Sequence, residues 1–192
     1  ARVLGFKACW HEETTKAGRC NSFTLAQALA GAIAARANII NLSLIGPADP
    51  LLEALVEHAL AARIVVIGAA GSAPRTQSFP AGVKGVLAVT ESETELADAA
   101  LLRAPGRDIV TLVPQGHYDF ASGSSLATAQ VSGVAALLLA RNRRLSATDV
   151  GRILQASMSQ REASTSTGTS VNACAALAML VPRSQCGGAQ TE

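Results

Sequence analysis

Charged residues are scarce in this 192-residue chain, where Asp, Glu, Lys and Arg together make up 16%, against roughly 25% in an average soluble domain. With 49% hydrophobic residues, that scarcity excludes a solvated, disordered chain and predicts a deeply buried interior. Aromatics are rarer still, at 3%. No Lys/Arg-rich block exists, and 16 Lys+Arg against 14 Asp+Glu leave a net charge of only +2, so nucleic acid is not an expected partner. The longest apolar runs, Ile64 to Gly71 and Gly133 to Ala140, are about eight residues, far below the roughly 18 that span a bilayer. No membrane span is expected in this chain. No internal repeat is found, and no Gly-x-Gly-x-x-Gly or Gly-Lys-Ser/Thr follows a strand. Gly68-Ala69-Ala70-Gly71-Ser72 is too short a match to support a nucleotide-binding domain. No Cys-x-x-Cys, His/Cys cluster or acidic loop with calcium spacing stands out, so neither metal nor cofactor is expected.

The chain opens Ala1-Arg2-Val3-Leu4-Gly5-Phe6 without Met, a basic leader or a cleavable apolar segment, which reads as a piece of a longer or processed protein. Its four cysteines fall as two local pairs, Cys9 with Cys20 and Cys174 with Cys186. Four cysteines allow three pairings, and the local spacing suits two short-range disulfides in an oxidising compartment, extracellular or periplasmic; four buried thiols are the alternative.

Along the chain, Arg2 to Ala8 reads as a short apolar strand and His11 to Asn21 as a loop. A helical pattern follows over Ser22 to Arg36, capped by Asn21 or Ser22. Asn38 to Leu44 reads as a buried strand, Gly46-Pro47 as its breaker, and Asp49-Pro50 as cap and first turn of a helix to about Arg63. Ile64 to Ile67 and Gly85 to Thr90 are further strands, on either side of a loop from Gly71 to Pro80. Beyond Thr90 the pattern weakens, with strands expected over Arg107 to Val113 and Tyr118 to Phe120. Helices are then expected over Ser124 to Arg141, Ala147 to Ser157 and Ser170 to Leu180. Strand alternating with helix predicts an α/β fold of three layers, a mostly parallel sheet with helices on both faces and ligand sites at the carboxyl ends of the strands. One domain is expected over 1–181, followed by a polar tail over 182–192 that Cys186 ties down.

The segment Ala121-Ser122-Gly123-Ser124-Ser125-Leu126-Ala127-Thr128 places Ser125 in the first turn of the long helix. Val131, Val134, Ala135 and Leu138 recur at helical spacing to bury one face, and Gly133 is expected to admit a neighbouring element closely. Free N–H groups and the positive end of the helix dipole there would stabilise an oxyanion forming on an acyl carbon bonded to Ser125. The bland alternative is a Ser-rich N-cap.

Gly123-Ser124-Ser125-Leu126-Ala127-Thr128-Ala129-Gln130-Val131-Ser132-Gly133 resembles the subtilisin-family nucleophile motif Gly-Thr-Ser-Met-Ala-x-Pro-His-Val-Ala-Gly. The resemblance is collinear over most of the chain. Ile39-Ile40-Asn41-Leu42-Ser43-Leu44 is similar to the family's substrate-binding strand, and Val65 to Ser72 to the strand ending in its oxyanion-hole Ala-Gly-Asn. Phe79-Pro80-Ala81 with Val86-Leu87-Ala88-Val89 resembles Tyr-Pro-Ala…Val-Ile-Ala-Val, and Val171-Asn172-Ala173 the closing Val-Asn-Ala.

The resemblance implies the nucleophile-bearing part of a secreted serine endopeptidase that hydrolyses peptide bonds by acyl transfer through Ser125. Ser125 and Ser72 would form the oxyanion hole. Ser43, Leu44 and Ile45 would pair with an extended peptide or protein substrate, and Ala69, Ala70 and Gly71 would wall its primary pocket. The family's catalytic Asp and His precede the Ser in chain order, and neither an Asp-Thr/Ser-Gly nor a His-Gly-Thr-His occurs here. They are expected upstream, in an N-terminal part of the peptidase domain, and this chain alone is expected to be nearly inert. Of the histidines present, His11 and His58 read as solvated, and His117 lies near the nucleophile but not where the family's base stands. Asp108 and Asp119 have no claim to orient a histidine.

Other departures are Ser72 for Asn, Ser124 for Thr, Ala129-Gln130 for Pro-His, and Ile45 for Gly. Ile45 would narrow the pocket entrance; its alternative is a strand residue pointing into the core. Ser72, Gln130 and the absent Asp and His support a rival of another class, a degenerate fold that binds peptide or a partner protein and hydrolyses nothing.

Overall fold

The computed structural model describes residues 1–12, 18–71, 74, 77–92, 98–113, 116–160 and 169–180. Its first two strands, β1 (Cys9–His11) and β2 (Gly18–Cys20), pair antiparallel with Cys9 opposite Cys20, and a disulfide joins that pair. The strand expected over Arg2 to Ala8 does not form. Among the described residues no strand pairs with it; Val3 is 90% exposed, Phe6 lies against Gly31, and the Ala8 carbonyl accepts from Thr24 Oγ1 at 2.7 Å. An apolar run becomes a strand only where a ladder partner meets it, and this run packs on a helix instead.

That helix, α1 (Ser22–Ala34), starts where Asn21 Oδ1 accepts the Thr24 N–H at 2.8 Å. The chain then runs through β3 (Ile39–Leu42) and β4 (Gly46–Pro47) into α2 (Pro50–Ala61). Asp49 caps α2, accepting from the Leu51 and Leu52 N–H groups at 3.0 and 3.2 Å and from the Ser22 hydroxyl. That hydroxyl first, with the two amides, holds the Asp49 carboxyl below its ordinary range.

Next come β5 (Val65–Ala69), β6 (Ser78–Phe79), β7 (Leu87–Glu91) and β8 (Leu102–Ala104). One four-stranded sheet runs in the order β3-β5-β7-β8, parallel throughout. Every residue of β5 is buried, as a central parallel strand covered on both faces requires. Its side chains divide by alternation: Val66 joins Leu29, Leu52 and Val56 beneath α1 and α2, whereas Val65 and Ile67 face the opposite layer. Gly68 leaves room for Pro80, whose ring would collide with any Cβ at that position. Gly46-Pro47, expected only to break β3, pairs as β4 with β6.

The hairpin β9 (Ile109–Val113) and β10 (His117–Ala121) leads into α3 (Ser124–Arg141). Helix α4 (Ala147–Ala156) starts on a capping box in which Ser146 and Asp149 exchange hydrogen bonds. A two-stranded pair, β11 (Ser159–Gln160) and β12 (Thr169–Ser170), precedes α5 (Ala173–Ala178). Ala127, Val131, Ala135 and Leu138 of α3 pack with α4 and α5 over Val65, Ile67 and Val89, completing the third layer. Gly133 does not serve close packing, since none of the described residues lies within 4 Å of a Cβ placed there; it is on the exposed side of α3. Cys174 is disulfide-bonded, while Cys186 and the tail over 182–192 lie outside the described residues.

Candidate functional site

Helix α3 begins at the carboxyl edge of the parallel sheet. Gly123 is its N-cap with φ 148° and ψ 155°, a conformation essentially reserved for glycine. The Gly123 N–H donates to the Gly106 carbonyl at 2.7 Å, and the Gly123 carbonyl accepts from the Leu126 N–H at 3.0 Å. Among the described residues, no side chain caps the helix. Ser122 Oγ instead accepts the Asp108 N–H at 3.0 Å, so the reading of this segment as a Ser-rich cap fails. Ser125 is exposed in the first turn, where amide hydrogens lack intrahelical partners and the dipole favours negative charge.

A relay of side chains holds this turn against the end of β3. Ser132 Oγ donates to Asn41 Oδ1 at 2.9 Å, Asn41 Nδ2 donates to Ser43 Oγ at 3.0 Å, and Ser43 Oγ donates to the Ser125 carbonyl at 2.8 Å. Sequence reasoning did not single out Asn41 and Ser132. Their signals were an amide inside an otherwise apolar strand, and a serine two helical turns beyond Ser125 on the same face.

The other expected substrate-contacting residues sit at the ends of β3 and β5. Leu42 is level with Gly68 at the end of the β3–β5 ladder; Ser43, Leu44 and Ile45 follow on one side, and Ala69, Ala70 and Gly71 on the other. Ile45 is 49% exposed, so it does not point into the core, and its side chain lies over Gly71. Ala69 and Ala70 are buried, the latter against Ala81, Ala88 and Leu101. Ser72, the expected second oxyanion donor, lies outside the described residues. Gln130 reaches from α3 to the Pro105 carbonyl at 2.8 Å, tying the helix to the chain after β8.

His58 is exposed in the last turn of α2, and His11 is in β1. His117 is exposed at the far end of β10, and four strand steps of roughly 3.3 Å separate its Cα from Ala121 by about 13 Å. Asp119 accepts the Phe120 N–H at 2.7 Å, and Asp108 is exposed with φ 52°. Among the described residues, no group of three or more His, Cys, Asp or Glu side chains is arranged to hold a metal ion, and no helix is long and apolar enough to cross a membrane.

Comparison with known proteins places this arrangement. The subtilase family model matches residues 2–174. Subtilisin DY from Bacillus licheniformis is 32% identical over 127 residues, covering 59% of this chain and 46% of that protein. A cold-adapted subtilisin-like serine proteinase superposes with a TM-score of 0.71 at 24% identity, over 82% of this chain and 63% of its own. The prenylagaramide maturation protease PagA superposes at 0.70 with 28% identity, over 87% and 70%. The chain spans about half the length of Subtilisin DY, or less of other curated relatives. With the three-layer fold and the family match in agreement, the chain belongs to the subtilase family.

Proposed function

We propose that these residues form the nucleophile-bearing part of a serine endopeptidase. The observation that carries the reading is Ser125, exposed in a first helical turn that no side chain among the described residues caps, at the carboxyl edge of a parallel sheet. Ser125 Oγ attacks the scissile carbonyl carbon and gives its proton to a histidine base. The C–N bond then breaks as that proton passes to the amine, and water releases the acyl group. The Ser125 N–H and the Ser72 hydroxyl receive the oxyanion. Ser43, Leu44 and Ile45 pair with extended substrate, with Ala69, Ala70 and Gly71 beside its primary side chain.

The base and its orienting Asp come from a further part of the peptidase domain. Two observations favour such a partner: among the described residues β3 is an edge strand with one neighbour, and Val110, Leu112, Tyr118 and Phe120 expose an apolar face on the β9–β10 hairpin. Disulfides at Cys9–Cys20 and Cys174 suit secretion to an oxidising compartment.

A fluorophosphonate probe, which reports an activated serine, tests the reading. Labelling of the full-length protein is expected, abolished by Ser125→Ala, with little labelling of the 192 residues alone. Strong labelling of these residues alone, lost in His117→Ala, makes His117 the base. No labelling of the full-length protein favours the degenerate binder.

A further inference from the structure

Ile45 reaches across the gap between two strand ends. A Cβ built on Gly71 would stand 3.2 Å from Ile45 Cδ1 and 3.6 Å from its Cγ2. The approach follows from the fold, because the β3–β5 ladder ends at Leu42 and Gly68, three residues before Ile45 and Gly71. The backbone around Ile45 is pinned on both sides. Before it, Ser43 is hydrogen-bonded to the Ser125 carbonyl; after it, Gly46 pairs with Phe79, a fully buried residue. Isoleucine is branched at Cβ and stiff at χ1, so its side chain does not swing aside as leucine or methionine would.

We propose that Ile45 closes the primary side-chain pocket, so that the substrate residue donating the scissile carbonyl is Gly, Ala or Ser. The inference rests on the endopeptidase reading above. A larger side chain has to displace Ile45 from Gly71, whereas a methyl or hydroxymethyl group does not. Ile45 acts here as a specificity determinant and takes no part in the chemistry.

The test uses the full-length protein with peptides that differ only in the residue before the scissile bond, as Gly, Ala, Ser, Leu or Phe. For wild type, kcat/KM with Ala is expected to exceed that with Phe at least about tenfold, in the range that one misfitted apolar group produces. Ile45→Gly is expected to raise the ratios of kcat/KM for Leu and Phe over Ala about tenfold or more, with Ile45→Ala between wild type and Ile45→Gly. Circular dichroism melts identify any variant that fails to fold. Equal cleavage after Phe and Ala by wild type, or a profile that Ile45→Gly does not change, overturns the inference and leaves the endopeptidase intact. Absence of both cleavage and Ser125 labelling retires the endopeptidase reading instead. Fluorescence-detected binding of the same peptides ending at that residue then decides: a preference for Ala that Ile45→Gly erases sustains Ile45 as the closure, and equal affinities overturn it.

Discussion

Ser43 Oγ donates to the Ser125 carbonyl at 2.8 Å, joining the end of β3 to the first turn of α3 across 82 positions of sequence. Because Asn41 and Ser132 complete the relay, the orientation of Ser125 depends on side chains that need not touch substrate. A neutral hydrogen bond contributes about 1 kcal/mol net, and about 1.4 kcal/mol changes a rate tenfold. Ser43→Ala is therefore expected to slow fluorophosphonate labelling of Ser125 in the full-length protein about three- to tenfold. An unchanged labelling rate with normal folding removes the positioning role. Ser132→Ala tests the same relay from its far end, with a smaller loss expected.

Gly123 supplies the backbone turn that delivers Ser125. At φ 148° a Cβ is strained, and one placed there would meet Ser125 Oγ at 3.4 Å. Gly123→Ala is expected to destabilise the protein by about 1–3 kcal/mol, read from urea unfolding, and to reduce Ser125 labelling beyond what the unfolded fraction explains. Stability equal to wild type would mean that the turn relaxes without cost.

Helix α3, the strands around Ile40, Val66 and Val89, and the caps at Asn21 and Asp49 were legible in the sequence because each has a local cause: a period, a cap or a buried β-branched run. β8 was missed, since Leu102-Arg103-Ala104 is too short and too mixed in polarity to show a period. It is a strand because β7 offers it an edge. Arg2 to Ala8 is the converse, apolar enough for a strand but without an edge. At the site, the motif pointed to Ser125, while Asn41 and Ser132 stayed hidden because their pairing exists only after β3 and α3 meet. Gly133 misled for the same reason, for spacing alone does not tell which helix face the sheet covers.

Two capping carboxylates contribute to the acid response. Ser22 and the α2 amides hold the Asp49 carboxyl below its ordinary range, and the Ser146 hydroxyl, then its amide, do the same for Asp149. A carboxyl whose folded pKa is depressed stabilises the fold above its unfolded pKa, near 3.9 for Asp, and loses that contribution as pH falls through the folded value. Tm is expected to change little from these groups near neutrality and to fall below about pH 4. Asp49→Asn with Asp149→Asn is expected to melt lower at pH 7 and to lose part of the acid-limb slope. A slope identical to wild type assigns acid unfolding to other groups.

Ser72 follows Gly71 in the chain, and its hydroxyl is the proposed second oxyanion donor beside the Ser125 N–H. A seryl oxygen is one bond from Cβ, whereas an asparagine nitrogen is two bonds away and reaches further toward the developing charge. A side-chain oxyanion donor accounts for about 10²–10³ in kcat, and it acts where charge forms, not on the ground-state carbonyl. Ser72→Asn in the full-length protein is therefore expected to raise kcat with peptide substrates by up to about 10²-fold at nearly constant KM. Ser72→Ala is expected to lower kcat, again with little effect on KM, if the serine hydroxyl is the proposed donor. A change confined to KM in either variant would mark position 72 as a ground-state contact. If Ser72→Ala costs nothing and Ser72→Asn gains nothing, the second donor is not at position 72, and the Ser125 N–H needs a different partner for the oxyanion.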